Sequence, residues 1–173
     1  DNATFYSNIF YNCINLKSFI FPENTTEISN FFFARCAKLE NITLPKKVTS
    51  IESYFFISCI SLKSITILGD VQSIGEYAFR NCSSLKSIEI PENTSSIGNG
   101  AFYDCINLES IEIPKNLTKI SSDLFYHCYS LKSINIPDNV SIIKANSFYY
   151  CKKLESVIIP ENTITLEKYA FYM

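Results

Sequence analysis

The sequence predicts an α/β repeat fold that is mostly β: a right-handed solenoid with a parallel sheet on its concave face and short helical or 3₁₀ turns on the other side. Three observations predict it. Cysteine recurs every 23 residues, apolar and polar residues alternate at the same place in every copy, and no copy carries an insertion or deletion. A fixed period of this length is typical of stacked coils, because one extra residue would displace every later apolar side chain from its ladder.

The cysteine spacing divides the chain into a partial copy and seven full repeats. The partial copy covers 1–12, and the 23-residue repeats begin at Cys13, Cys36, Cys59, Cys82, Cys105, Cys128 and Cys151. We therefore predict one solenoid over 1–173. Neither end shows the polar capping repeat that solenoids need for solubility, so we expect the chain to be a segment of a longer protein.

Each repeat, numbered from its cysteine as position 0, predicts the same local structure. Positions 6 and 8 are apolar and alternate with mostly polar residues at 5 and 7, which indicates a strand with one buried face. Proline at position 9 in six repeats ends that strand because it has no N–H to donate. Positions 12–15, as in 71–74, predict a second short strand. Positions 16–22, as in 75–81, place Ala-Phe near the next cysteine at helical spacing and predict the helical turn.

The predicted core uses positions 0, 3, 6, 8, 12, 15, 19 and 20 of each repeat. Nearly all are apolar; the exceptions are Thr25, Thr94, Thr163 and Ser147. At about 1.5–3 kcal/mol for each large side chain buried, this core is sufficient for a stable domain. We expect the seven cysteines to be buried, reduced thiols, since stacked coils hold equivalent Cβ atoms about 4.8 Å apart and a disulfide needs about 3.8 Å.

The repeat resembles a known family. The segment Leu-Glu-Ser-Ile-Glu-Ile-Pro-Lys-Asn at 108–116 resembles the strand of leucine-rich repeats, and the 23-residue unit resembles their BspA-like class. The copy at 82–102 is the nearest, while Leu68-Gly69-Asp70 replaces the usual Pro-x-Asn. The resemblance implies a leucine-rich-repeat fold. It also implies a bacterial or protist protein, often at the cell surface and linked to adhesion.

Composition excludes several other classes. The chain is 47% hydrophobic and 18% charged, which is too apolar for a disordered protein. A net charge of −2 gives no footprint for nucleic acid, and no apolar run reaches the ~18 residues of a membrane span. We predict no cofactor and no metal site, because the chain lacks a glycine-rich phosphate loop and one cysteine column cannot surround a metal.

No arrangement of residues predicts an enzyme. His127, the single histidine, precedes Cys128, and the pair is a conceivable nucleophile and base. Neighbouring side chains usually point in different directions, however, and the cysteine belongs to the core column. We therefore interpret the pair as structural and predict that the protein is not an enzyme.

Two surfaces are candidates for binding a partner. We call the exposed side of the first strands, at positions 4, 5 and 7, the strand face; its candidates are Lys63, Thr66, Lys86, Glu89, Glu109, Glu112, Lys132 and Asn135. We call the tyrosines at position 21 the tyrosine ridge; its candidates are Tyr103, Tyr126 and Tyr149. Tyrosine is favoured at interfaces. The alternatives remain open, since the strand face could simply be solvated and the tyrosines could pack between coils.

Glycosylation sequons are frequent. They begin at Asn2, Asn24, Asn41, Asn81, Asn93, Asn116 and Asn139, and most lie at position 11, in the turn after the first strand. One interpretation is an extracellular protein that carries glycans along one edge. The other, which we favour, is that asparagine suits this turn and that a Ser/Thr-rich repeat produces sequons by composition.

These observations predict a non-enzymatic protein-binding module of a cell-surface or secreted adhesion protein, whose ligand is a host or extracellular-matrix protein. The alternative is an intracellular scaffold or regulatory module of a multidomain protein, located in the cytoplasm. A structural spacer without a partner is a third hypothesis.

Overall fold

The computed structural model describes residues 3–172, and these contain only strands and turns. The fourteen strands are β1 (Ala3–Phe5), β2 (Thr25–Ile28), β3 (Asn41–Leu44), β4 (Ser50–Ile51), β5 (Ser64–Ile67), β6 (Ser73–Ile74), β7 (Ser87–Ile88), β8 (Ser96–Ile97), β9 (Ser110–Ile111), β10 (Lys119–Ile120), β11 (Ser133–Asn135), β12 (Ile142–Ile143), β13 (Ser156–Ile158) and β14 (Thr165–Leu166).

Strands pair in parallel with the strand one period later. Ser50 pairs with Ser73 and Ser73 with Ser96, and on the other sheet Ser133 pairs with Ser156. The predicted parallel solenoid is therefore confirmed. The first strands of the repeats do not form one continuous sheet, however. They form three pairs, β3-β5, β7-β9 and β11-β13, and residues 18–21 of the first repeat lie outside any strand.

The prediction of helical or 3₁₀ turns is wrong for the described residues, which contain neither. Positions 18 and 22 adopt positive φ between 52° and 64°. A left-handed residue cannot continue a right-handed helix. These residues are Asn8, Asn12, Phe31, Arg35, Tyr54, Ser58, Tyr77, Asn81, Gly100, Asp104, Asp123, His127, Asn146, Tyr150 and Tyr169.

Backbone bonds in this segment run between coils instead of along a helix. The N–H groups of Tyr54, Phe56 and Ser58 donate to carbonyls of the next coil, at N···O distances of 2.9, 2.7 and 2.7 Å. Within the coil, Cys59 N–H donates to the carbonyl three residues earlier, at 3.0 Å, as in a β-turn. The predicted helix is thus a series of β-turns that bonds laterally to its neighbour.

The centre of the solenoid is a column of stacked phenylalanines at position 20. From Phe33 to Phe171 successive ring centroids lie 4.9–5.7 Å apart, with interplanar angles of 3–23°. These spacings suit offset stacking, which adds to the energy of burial. Side chains at positions 0, 3 and 15 surround the column, and most of them are fully buried.

The cysteine column lies beside these rings. All seven cysteines are free thiols and six are buried, but Cys13 in the first full coil is partly exposed, which corrects the prediction that all are buried. Each thiol from Cys36 onward donates to the carbonyl of the phenylalanine 26 residues earlier, at 3.1–3.2 Å. The carbonyl of Phe79, for example, accepts both Cys82 N–H and the Cys105 thiol. The thiols therefore join adjacent coils.

Burial keeps these thiols protonated. Loss of solvation raises the pKa of Cys105 and Cys151 to about 12 and raises the pKa of Cys82 and Cys128 well above the ordinary value. Because the thiolate is the reactive form, the buried column is chemically inert at neutral pH.

We expect Phe102→Ala to lower the free energy of unfolding by about 3–5 kcal/mol, because it removes a ring that is 0% exposed and leaves a cavity in the stack. Urea unfolding followed by circular dichroism measures the change. The control is Ile158→Ala, which truncates a side chain that is 82% exposed and should change stability by less than about 0.5 kcal/mol. A loss below about 1 kcal/mol for Phe102→Ala would contradict the ring's place in the core.

We also expect the protein to lose stability as the pH rises above about 9. In the unfolded chain a thiol titrates near about 8.5, whereas in the folded protein the pKa of Cys105 is about 12. Between these values the unfolded state binds fewer protons, so the thiols' contribution is complete below about pH 8 and decreases towards pH 12.

Urea unfolding at about pH 8 and about pH 9.5 measures this decrease, in a range where most tyrosines are still protonated. Cys105→Ala removes one titrating thiol, so its stability should fall less steeply, by up to about 1.4 kcal/mol per pH unit. Equal pH dependence in the variant and the parent would show that the thiols are not responsible.

Candidate binding surfaces

The strand face is exposed as the sequence predicts. Its candidates flank or belong to β5, β7, β9 and β11, and seven of the eight are exposed; Glu109 is half-buried. Apolar residues between them, such as Ile65, Ile88 and Ile111, are buried. The strands therefore position these side chains by simple alternation: one residue faces the core and the next faces solvent.

Three of the eight candidates are used in ion pairs between coils. Lys63 Nζ lies 2.8 Å from Glu40 Oε2, and Lys132 Nζ lies 2.7 Å from Glu109 Oε2. Hydrogen bonds from these ammonium groups hold the pKa of the Glu40 and Glu109 carboxyls below the ordinary value. Pairs this exposed to solvent contribute little to stability, so their effect is mainly to neutralise the surface.

Three charged candidates have no such partner. Lys86, Glu89 and Glu112 are exposed, and none forms an ion pair within the described range 3–172. At position 4, Lys86 lies between Lys63 and Glu109. Lys63 forms its ion pair with Glu40 of the preceding coil, and Glu109 forms its ion pair with Lys132 of the following coil. The middle of the strand face thus presents one free cation and two free anions.

Two clefts open on the strand face where its pairing is interrupted. The first, of about 570 Å³, lies beside β3 and β5 and is bordered by residues 19–21 of the first repeat; it includes Thr66. The second has a similar volume, lies between β9 and β11, and includes Glu112 and Asn135. Neither cleft could be predicted from the repeat pattern, because the same pattern applies to every pair of adjacent coils.

The tyrosine ridge is a stack of rings whose faces are covered. Ring centroids of Tyr103 and Tyr126 lie 4.5 Å apart, and those of Tyr126 and Tyr149 lie 4.8 Å apart, with interplanar angles of 5° and 4°. All three residues are half-buried. Burial and the nearby Asp104 carboxylate raise the pKa of Tyr103 to about 12. The ridge therefore offers ring edges and hydroxyl groups to a partner rather than ring faces.

The ridge is part of a longer aromatic stripe. At position 18, Phe31 stacks on Tyr54 and Tyr54 on Tyr77, at 4.7 and 5.5 Å; Tyr77 then contacts Tyr103 at 6.2 Å. The stripe thus passes from position 18 to position 21 at Gly100. This glycine has a φ of +58°, and a Cβ there would lie 2.2 Å from the Tyr77 ring. Position 18 is aromatic or polar in the other repeats, so the single glycine there was a sequence signal that could have indicated this change.

His127 does not form a nucleophile and base with Cys128. Its Nδ1 lies 3.0 Å from Asp104 Oδ1, and its ring lies 4.2 Å from the Tyr126 ring. The Cys128 thiol instead donates to the Phe102 carbonyl in the core, at 3.2 Å. The two side chains bond to different partners, so the imidazole belongs to the aromatic surface and the thiol to the core column.

Position-11 asparagines bond to the neighbouring coil. The side-chain amides of Asn116, Asn139 and Asn162 donate to carbonyls 24 residues earlier, at 2.9–3.3 Å. Asn162 makes this bond although no sequon begins there. This geometry supports the turn interpretation of the position. The sequon at Asn2 lies outside the described residues.

Residues 3–172 contain neither a cluster of potential metal ligands nor a helix that could span a membrane. No group of three or more histidine, cysteine, aspartate or glutamate side chains converges as a metal ion would require. No helix in this part of the chain has the length and apolar character to cross a bilayer.

Several solved structures with the same architecture are those of bacterial leucine-rich repeat proteins. A leucine-rich repeat protein from Bacteroides ovatus is 35% identical with a TM-score of 0.91; the match covers 95% of this chain but only 43% of that protein, so the chain spans less than half of its length. The T. pallidum leucine-rich repeat protein is 30% identical over 90% of this chain and 72% of its own, with a TM-score of 0.83. The pneumococcal vaccine antigen PcpA shares the fold at 18% identity and a TM-score of 0.57, over 98% of this chain and 57% of its own.

Comparison with curated protein sequences gives no significant match. The model of the BspA type leucine rich repeat region, in contrast, matches residues 3–129 and 72–173. These overlapping matches include every full repeat, and the order of strands and turns in each coil agrees with them. The chain therefore belongs to the BspA-type leucine-rich repeat family.

Proposed function

We propose that the chain is a non-enzymatic protein-binding module and that its partner contacts the strand face. The observation that carries this proposal is the group of exposed charges without ion-pair partners, Lys86, Glu89 and Glu112, on the middle strands. Charges without an ion-pair partner are available to pair with a ligand. Leucine-rich repeats and other solenoids commonly bind proteins on such extended surfaces.

The backbone beneath these charges favours binding. β7 and β9 pair in parallel, and Glu109 N–H donates to the Lys86 carbonyl at 2.8 Å. Middle coils are also held from both sides, so their side chains lose less entropy when a partner binds. Free charges of both signs within a few residues suit a protein ligand, whereas nucleic acid would require a basic surface.

The tyrosine ridge is a second candidate. The edges and hydroxyl groups of Tyr103, Tyr126 and Tyr149 remain available, and tyrosine is a frequent contributor at interfaces. Its stacked ring faces are already in contact with each other, which reduces the apolar area that a partner could bury. For this reason we place the main contact on the strand face.

We place the module in a cell-surface or secreted adhesion protein, with a host or extracellular-matrix protein as its ligand. This part of the proposal rests on the association of BspA-type repeats with cell surfaces. An intracellular scaffold remains the alternative, and proteinase treatment of whole cells that express the full-length protein distinguishes the two: a surface module is cleaved and an intracellular one is protected.

Charge reversal tests the strand face. In the variant Lys86→Glu, Glu89→Lys, Glu112→Lys, every free charge meets the wrong sign on the partner, so we expect binding to weaken at least about tenfold. Surface plasmon resonance against immobilised collagen, fibronectin and laminin measures the affinity. The matched control, Lys119→Glu with Glu76→Lys and Glu92→Lys, makes the same three changes of sign at exposed residues outside the strand face and should leave binding within about twofold.

Replacement of the three ridge tyrosines by alanine tests the second candidate in the same assay. If this variant loses binding and the charge-reversed variant does not, the ridge is the site. If both folded variants bind like the parent, neither surface is the site. Lack of binding by the parent to all three matrix proteins would contradict the adhesion hypothesis and favour the scaffold or the spacer.

A further inference from the structure

The first repeat has larger core residues than the later repeats. Phe19 and Phe21 occupy positions 6 and 8, where the later repeats have isoleucine, leucine or valine. Their rings lie 4.8 Å apart, and they contact Phe10 and Phe32 at 4.8 and 5.7 Å. The core of the first repeat is therefore an aromatic cluster, where the later repeats have an aliphatic column.

Residues 18–21 form no strand, so β3 pairs on one side only, as do the other first strands β5, β7, β9, β11 and β13. Glu40 N–H still donates to the Lys17 carbonyl, at 3.3 Å, but β3 pairs with β5 alone. The first cleft is bordered by this segment and lies along β3. A similar break in pairing borders the second cleft, so what distinguishes the first cleft is its lining, which includes Phe19, Ile20 and Leu68.

The walls of the first cleft are unusually apolar for an exposed surface. Ile20, which faces solvent at position 7, is 90% exposed, and Leu68, which replaces the usual proline, is 51% exposed. Leu68 is held in place because its N–H donates to the Leu44 carbonyl at 3.3 Å. Gly69 allows the close approach that follows: a Cβ there would lie 2.6 Å from the Val48 carbonyl oxygen.

The charged residues of the cleft favour an anion. Lys46, Lys47 and Glu23 border it, which gives two positive charges against one negative charge. The second cleft has a similar volume but the opposite balance, since Lys115 is opposed by Glu112 and Asp138. The second cleft therefore serves as a reference for the first. The two clefts are similar in volume, but the second is less apolar and carries a net negative charge.

We propose that the first cleft binds a free medium-chain alkyl carboxylate. The alkyl chain lies against Phe19, Ile20 and Leu68, and the carboxylate lies at Lys46 and Lys47. A volume of about 570 Å³ is within the usual range of small-molecule sites, about 300–1,000 Å³. The site is separate from the charges proposed to bind protein.

Isothermal titration of the whole 173-residue chain with dodecanoate, below its micelle concentration, tests the proposal. We expect saturation at one site. Dodecyltrimethylammonium has the same alkyl chain and a positive charge, so it should bind at least about tenfold more weakly. This comparison uses the unmodified protein and does not depend on the folding of any variant.

Two variants locate the site. Ile20→Asp makes one wall polar and negative, and Lys46→Glu with Lys47→Glu reverses the charge at the mouth; each should weaken dodecanoate binding at least about tenfold. The matched controls are Ile158→Asp and Lys115→Glu, which change residues at the same repeat positions as Ile20 and Lys46. Both controls should bind within about twofold of the parent.

Several results would overturn the proposal: no saturable binding to the parent, equal affinity for the cationic ligand, or equal losses in the control variants. Unfolding midpoints of all variants establish that the folded proteins are compared. The outcome is independent of the protein-binding test, since the variants at Lys86, Glu89 and Glu112 do not alter the first cleft.

Discussion

Hydrogen bonds from each coil to the next are the constraint on which the rest of the structure depends. Backbone N–H groups donate to carbonyls 21 to 24 residues away throughout residues 3–172. All coils must therefore have the same path length, and strands, rings and thiols follow in register. The constraint also explains why residues such as Tyr54 and Arg35 adopt positive φ. The cost for a residue other than glycine is about 1–2 kcal/mol, and the lateral bonds of the same turns offset it.

The features that depend only on the period could be predicted from the sequence. Strand positions, parallel register, the phenylalanine column and the burial of six cysteines all follow from residues that recur every 23 positions. The helical turn could not be predicted correctly. Ala78, Phe79 and Cys82 have a spacing that suits a helix and a series of β-turns equally. The bonds of Phe79 to the next coil decide between them, and residue types do not reveal such bonds.

The candidate sites were less predictable, because they depend on differences between neighbouring copies. The sequence identifies the strand-face charges by position, yet only the adjacent coil determines that Lys63 is paired and Lys86 is not. In the same way, Phe19, Ile20 and Leu68 give the first cleft a more apolar lining than that of the second cleft, which has a similar volume. Function in a repeat protein is carried by such departures, since the shared residues are used for stacking.

The lateral bonding also determines how the protein responds to mechanical load. Contacts connect nearest neighbours only, so force applied along the solenoid would detach one coil at a time. Each detachment would release 23 residues, or about 80 Å of extended chain. The chain would then act as a series of extensible links that lengthen in equal steps while the remaining coils keep their shape.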